Sequence, residues 1–185
     1  MKNHKQRRDL LFKKDRPYIR PLQIVDESGY TKDVRIIWVA HKNKPIPFLA
    51  DVKTQEEFVK MMIEATHRLP FYVVEDRNSE FKDKGIVALI ATKEDGWRIE
   101  PHVHFFPWAT RRNILRTCIG FFQMVRYSRN IGVCVVRSLK EDAGLFDKCV
   151  NYFPPNVFHR VGRIPMGDAR GDEFLYSIRG RKWAA

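Results

Sequence analysis

Cysteine is scarce in this chain, and no two cysteines form a motif. Cys118, Cys134 and Cys149 each stand alone in an apolar segment, which excludes a disulfide framework and a CxxC zinc site and fits buried thiols in a reducing intracellular compartment. Long hydrophobic runs are missing as well. None approaches the ~20 apolar residues of a membrane-crossing helix, so no membrane insertion is expected. At the N-terminus the apolar run is only Leu10, Leu11 and Phe12, followed at once by Lys13, Lys14 and Asp15, and secretion through a signal peptide is not expected. Internal repeats and low-complexity tracts are absent.

The remainder has a globular composition. Hydrophobic residues make up 44% and charged residues 30% of 185 residues, enough for one domain with a full core and hardly enough for two. The net charge of +12 is unevenly spread: residues 1–20 hold eight lysines and arginines against Asp9 and Asp15, half of the excess. Such an arm is a tether to other protein subunits or to nucleic acid; the alternative is a solvated tail. The Leu10–Phe12 cluster between two basic blocks favours a protein groove as well as phosphate. Residues 1–33 are read as basic N-terminal arm and connector, and 34–185 as the folded domain.

The most informative stretch is 97–130, WRIEPHVHFFPWATRRNILRTCIGFFQMVRYSRN. It begins as a strand whose side chains alternate, with Glu100, His102 and His104 on one face and Val103 and Phe105 on the other. Pro107 ends the ladder, and Thr110 can cap a helix carrying Ile114, Leu115, Cys118, Phe121, Phe122 and Val125 at helical spacing. Arg111 and Arg112 then fall in the first helical turn. Cations are the wrong charge there, because the macrodipole is positive and the first amides lack partners. An anion held against those amides and guanidinium groups would reverse the penalty; otherwise the two arginines point into water. Two histidines two apart on a strand can bind a metal, but no third ligand accompanies them.

The rest of the chain supplies the frame. Residues 16–33 read as a docked connector or an edge hairpin, and VRIIWVA (34–40) as the first core strand. Thr54 and Glu57 form a capping box for a helix over 54–68. FYVVE (71–75), GIVALIAT (85–92) and the strand at 97 make an antiparallel meander around a polar loop, 76–84, and an Asp-Gly turn. IGVCVV (131–136) is apolar on both faces and reads as a buried strand parallel to the one before the helix. Ser138 and Glu141 look like a second capping box, opening a helix that reaches Tyr152. Residues 158–164 and 173–179 close the chain as a hairpin.

This order, an α+β arrangement, resembles the GNAT family of acyl-coenzyme A dependent N-acyltransferases. The likeness covers roughly 34–180 and rests on HVHFFPWATRRN, on IGVCVV followed by a capped helix, and on FHRVGRIPMGDARGDEFLYSIRG. It implies a mixed, mostly antiparallel sheet with flanking helices and one central parallel strand pair, 99–106 with 131–136, whose members splay apart. It also implies acetyl-CoA as cofactor, with the pyrophosphate at Arg111, Arg112, Asn113 and Arg116, and a general base among Glu100, His102 and His104.

Two departures bear on activity. The family's pyrophosphate loop carries glycines, whereas Trp108 to Ile114 has none. Where the family places a tyrosine as general acid, this chain has Phe146, with Tyr152 as the candidate substitute. Small, arginine-rich, glycine-poor GNAT-like proteins also resemble ones encoded by tailed bacteriophages, some of them carried in the particle. The resemblance thus implies a degenerate coenzyme A loop and a non-catalytic or weakly catalytic component of an assembly, a bacteriophage virion. An active acetyl-CoA-dependent N-acetyltransferase acting on an amine is the alternative, and a nucleic-acid-binding module the third. The location implied is a bacterial host cytoplasm or a virus particle.

Overall fold

The computed structural model describes residues 17–27, 29–76, 85–128, 130–154, 156–169 and 171–180. Most of the basic arm and most of the polar loop 76–84 lie outside the described residues.

Of the two readings of 16–33, the edge hairpin is realised, and the same stretch also adds to the main sheet. β2 (Val25–Asp26) and β3 (Gly29–Tyr30) pair as a short hairpin, while β1 (Tyr18–Pro21) pairs antiparallel with β4 (Phe71–Glu75). Pro21 is tolerated because β1 is an edge strand and needs no donor on its open side.

The expected strand at 34–40 is a helix, α1 (Lys32–Asn43). The Thr31 side chain caps it by accepting from the Val34 N–H, and Val34, Ile37, Ala40 and His41 are buried. Those spacings of three and four give one buried helical face, so the positions that find a core outweigh the β-propensity of Val, Ile and Trp. The Thr54 box forms as read: the Thr54 hydroxyl accepts from Glu57 N–H at 3.2 Å, and the Glu57 carboxylate accepts from Thr54 N–H at 3.3 Å. It opens α2 (Gln55–Thr66), which buries Phe58, Val59 and Met62. The second expected cap fails. Ser138 is buried within β7 (Val133–Leu139) and its hydroxyl donates to the Leu139 carbonyl, so α4 (Lys140–Val150) begins at Leu139 without a side-chain cap.

β5 (Ile86–Asp95), β6 (Arg98–Phe105), α3 (Arg111–Tyr127), β8 (Phe158–Asp168), β9 (Gly171–Arg179) and a 3-10 turn at Pro47–Leu49 complete the described elements. The main sheet has seven strands in the order β1-β4-β5-β6-β7-β9-β8, mostly antiparallel, with β6 and β7 as its one parallel pair. Four helices accompany it among the described residues.

The parallel register joins Arg98 to Val133 and Ile99 to Cys134. The Trp97 carbonyl accepts from the Gly132 and Val133 N–H groups at 2.7 and 3.2 Å, so alternate residues 97, 99 and 101 turn their backbone groups toward β7. Position 101 is proline. It has no N–H to offer, and the ladder stops short of it.

Two compact units divide the chain. Among the described residues, one holds 17–92 and His102–Thr117, and the other holds Lys93–Pro101 and 118–180. In the first, Ile37, Phe58, Met62, Val73, Leu89 and Phe106 are buried together, with the Trp38 ring tilted against that of Phe58 at 5.3 Å. In the second, Phe122 is the hub: its ring lies 4.9 Å from Phe158, 6.2 Å from Phe146 and 6.5 Å from Phe153. Each such side chain contributes ~1.5–3 kcal/mol on burial.

Candidate functional site

The start of α3 is the most constructed place in the first unit. Pro107 ends β6, and the Trp108 indole N–H donates to the Ile86 carbonyl at 2.8 Å, pinning the turn to the sheet. Thr110 and Asn113 then cap the helix reciprocally. The Thr110 hydroxyl accepts from Asn113 N–H at 3.2 Å, and Asn113 Oδ1 accepts from Thr110 N–H at 2.9 Å and from its hydroxyl at 2.7 Å. Asparagine thus fills the place that glutamate takes in the usual capping box.

Asn113 also reaches inward. Its Nδ2 donates to Asp76 Oδ2 at 2.8 Å, and the other Asp76 oxygen lies 3.5 Å from Arg116 Nη2. All three side chains are buried, Asp76 completely and Arg116 to 6% exposure. Two of the four expected pyrophosphate ligands, Asn113 and Arg116, are therefore engaged with Asp76 and anchor the first turn of α3 to the end of β4. Arg111 and Arg112 are exposed, and the first turn holds no acidic residue. Thr110 also takes the Ile114 N–H on its carbonyl. In the helix geometry the amides of Arg111 and Arg112 have no intrahelical acceptor.

The three candidate bases on β6 have different surroundings. Glu100 belongs to the second unit, where its carboxylate lies between Arg98 Nη2 at 3.3 Å and Arg137 Nε at 3.1 Å. Both oxygens are engaged by guanidinium groups. His102, in the first unit, is exposed. His104 is half-buried, its ring 6.1 Å from that of Phe106. Burial is the main cause that holds its imidazole below the ordinary histidine range, helped by the Lys44 charge and His41, while a hydrogen bond with the Lys44 backbone opposes the shift. Nε2 is buried and has no hydrogen-bond partner among the described residues.

In the second unit Tyr152 is half-buried just beyond α4, its N–H bonded to the Cys149 carbonyl. Phe146 packs 5.4 Å from the ring of Tyr176. Tyr176 is not singled out by sequence pattern, since it reads as one more inward residue of a strand. Its hydroxyl lies 2.8 Å from Asp147 Oδ1 and 3.0 Å from the Ala143 carbonyl, and burial with the Asp147 bond pushes its phenol well above the usual tyrosine range. It holds α4 to β9 and keeps its proton.

No family model matches this sequence, and no curated protein does. In three dimensions the chain is similar to spermidine N-acetyltransferase SpeG of Vibrio cholerae. A chimera of that protein with hSSAT superposes with a TM-score of 0.60 at 16% identity, over 91% of this chain and 98% of the other. The dodecameric structure of the Vibrio cholerae enzyme in its intermediate state gives 0.61 at 17% identity, over 91% and 96%. Mutant forms of the same spermidine/spermine N-acetyltransferase, with glutamates changed to glutamine, give 0.61 at 16% identity, over 91% and 97%. The chain has the GNAT fold. The parallel pair β6–β7 and the strand-to-helix turn at Pro107 are the parts of the GNAT fold from which an acyl-coenzyme A site was expected. That turn carries two exposed guanidinium groups, and the helix has no acidic residue in its own first turn.

Proposed function

We propose that this chain is an acyl-coenzyme A dependent N-acyltransferase acting on an amine, as the fold it shares with known N-acetyltransferases makes available. The observation that carries the reading is the start of α3, where the Asp76–Asn113–Arg116 anchor fixes a turn whose remaining donors are the amides and side chains of Arg111 and Arg112. These two residues would hold the pyrophosphate by charge-assisted hydrogen bonds. Charge on guanidinium groups takes the place of the close backbone approach that glycines permit. Bound acetyl-CoA supplies an activated acyl thioester. Half-buried His104 is the residue assigned to take the proton from the acceptor ammonium group, so that a neutral amine with a free lone pair is presented. Glu100, engaged by two arginines, and Tyr152 take no part in this reading.

The acceptor follows from charge. A net charge of +12 repels polycations, so the amine is carried on a neutral or anionic molecule, a protein or small molecule, rather than on a polyamine.

A second reading is favoured by Phe146. It stands in an aromatic cluster where the resemblance implies a proton-donating tyrosine, and the neighbouring Tyr176 is committed to Asp147. On this reading the chain is a non-catalytic component of an assembly, a bacteriophage particle, joined to other subunits through residues 1–20. Its three buried free thiols suit either setting in a reducing compartment. Thiol release from acetyl-CoA in the presence of a panel of protein and small-molecule amines tests the two. Turnover that requires His104 supports the enzyme; binding of acetyl-CoA without turnover for any amine supports the assembly component.

A further inference from the structure

At the end of α1 the first unit sets a lysine beside its half-buried histidine. Lys44 closes the helix: its N–H donates to the Ala40 carbonyl at 2.8 Å, and its side chain is exposed. His104 comes to the same place from β6. Its ring lies 6.1 Å from that of Phe106, two residues on and facing the same way, and Phe106 is buried in the core with Ile37, Ala40 and Phe58 of α1 and α2. The Lys44 charge bears on the His104 imidazole, and so does His41.

The two histidines differ in what they leave open. Buried His41 engages the chain with both nitrogens, Nδ1 accepting from the Ile46 N–H at 3.2 Å and Nε2 lying 3.4 Å from the Val52 carbonyl oxygen. His104 Nε2 is buried with no hydrogen-bond partner among the described residues, a cost that a ligand's amino group would remove. Lys44 makes no ion pair among the described residues. Of the acids on neighbouring segments, Glu57 accepts from the Lys53 and Thr54 N–H groups and Asp51 is exposed, while Glu100, further back on β6, is held by Arg98 and Arg137. A cation at a helix C-terminus is favoured by the macrodipole. One that also bears on an imidazole due to receive a proton opposes that proton, and an anion at Lys44 would offset the repulsion.

We propose that Lys44 selects the acceptor: its ammonium binds a carboxylate that the acceptor carries a few bonds from its amine, and so brings the amine to His104. This rests on the acyltransfer reading and adds to it the class of acceptor, a short amine bearing a carboxylate. A single ammonium matches the single charge of a carboxylate. A diamine would set a second cation against Lys44 and be repelled.

Imidazole NMR of the full chain, with the His104 signal assigned from His104→Gln, tests this without turnover. β-Alanine should move the His104 signal saturably. β-Alaninamide, in which a neutral amide replaces the carboxylate, should bind about tenfold more weakly, the loss of one hydrogen bond to a charged group. Lys44→Gln should weaken β-alanine by the same factor and abolish its preference over the amide, and Lys44→Arg should retain both. Lys44 is exposed and its capping bond is made by the backbone, so these variants keep the fold. No saturable movement of the His104 signal, equal binding of the amide, or an unchanged Lys44→Gln would overturn the proposal. Tighter binding of aminoethyl phosphate than of β-alanine would overturn the carboxylate assignment. Thiol release from acetyl-CoA then separates this site from the reading beneath it. Lys44-dependent binding with no thiol release counts against the acyltransfer reading and leaves the site standing; thiol release indifferent to the carboxylate leaves the reading and overturns the site.

Discussion

Asp76 is fully buried, and its carboxylate meets the Asn113 amide at 2.8 Å and the Arg116 guanidinium at 3.5 Å. Removing one partner of such a pair leaves the other charge buried and uncompensated. Asp76→Ala should therefore cost ~3–5 kcal/mol in urea unfolding. The sequence shows Arg116 as one more cation of an arginine-rich turn. That it faces inward depends on an aspartate forty residues earlier, which no local pattern connects to it. His104 carries a pH signature with a defined sign. Its imidazole is held below the ordinary range, so the unfolded chain binds its proton more readily than the folded one. The stability contributed by the neutral ring is present above the unfolded value of about 6.5 and is lost as pH falls toward the folded value. As the base, His104 should give a kcat/KM that is level above about pH 6.5 and falls only at lower pH. The measurement is a pH–rate profile: His104→Gln should abolish the acid limb and most activity, and His102→Gln should leave both.

Among the helices, α2 and α3 were legible together with their caps, α4 was legible from its apolar spacing although its expected cap does not form, and α1 reads from sequence as a strand. Thr54 and Glu57 specify α2 by themselves, and Thr54→Ala should cost ~1 kcal/mol by thermal or urea unfolding. The same spacing at Ser138 and Glu141 does not give a capping residue at Ser138, because that side chain is buried in β7. α1 was hidden by composition: a run of Val, Ile and Trp satisfies strand and helix alike until the core chooses positions 34, 37, 40 and 41. The meander, the parallel pair and the closing hairpin were readable from alternation and turn residues. Pro101 sets where the parallel ladder ends. Pro101→Val restores an N–H on the side facing β7, and hydrogen exchange should show a newly protected amide there, with weaker acetyl-CoA binding if the added pairing occupies the groups a ligand needs. At the other end Gly180 is obligatory, since a Cβ would lie inside contact distance of the Ile131 carbonyl oxygen. Gly180→Ala should lower stability by disturbing the Gly180–Gly132 bond.

For the molecule as a whole, the fold and the charge make separate contributions. The GNAT fold supports the acyl-coenzyme A reading proposed above, and the +12 net charge would favour anionic partners over cationic ones. No single motif marks the fold: the turn proposed to hold the pyrophosphate lacks the family's glycines, and the order of elements together with three segments pointed to it. On the proposed function, the start of α3 holds an acyl-coenzyme A pyrophosphate with Arg111 and Arg112. Calorimetric titration of acetyl-CoA into the full chain and into its Arg112→Glu variant tests it most directly. Saturable binding by the parent chain is expected, weakened about 10- to 100-fold in the variant, the worth of one charge-assisted hydrogen bond. Binding that is unchanged in Arg112→Glu, or no binding by the parent chain, would contradict it.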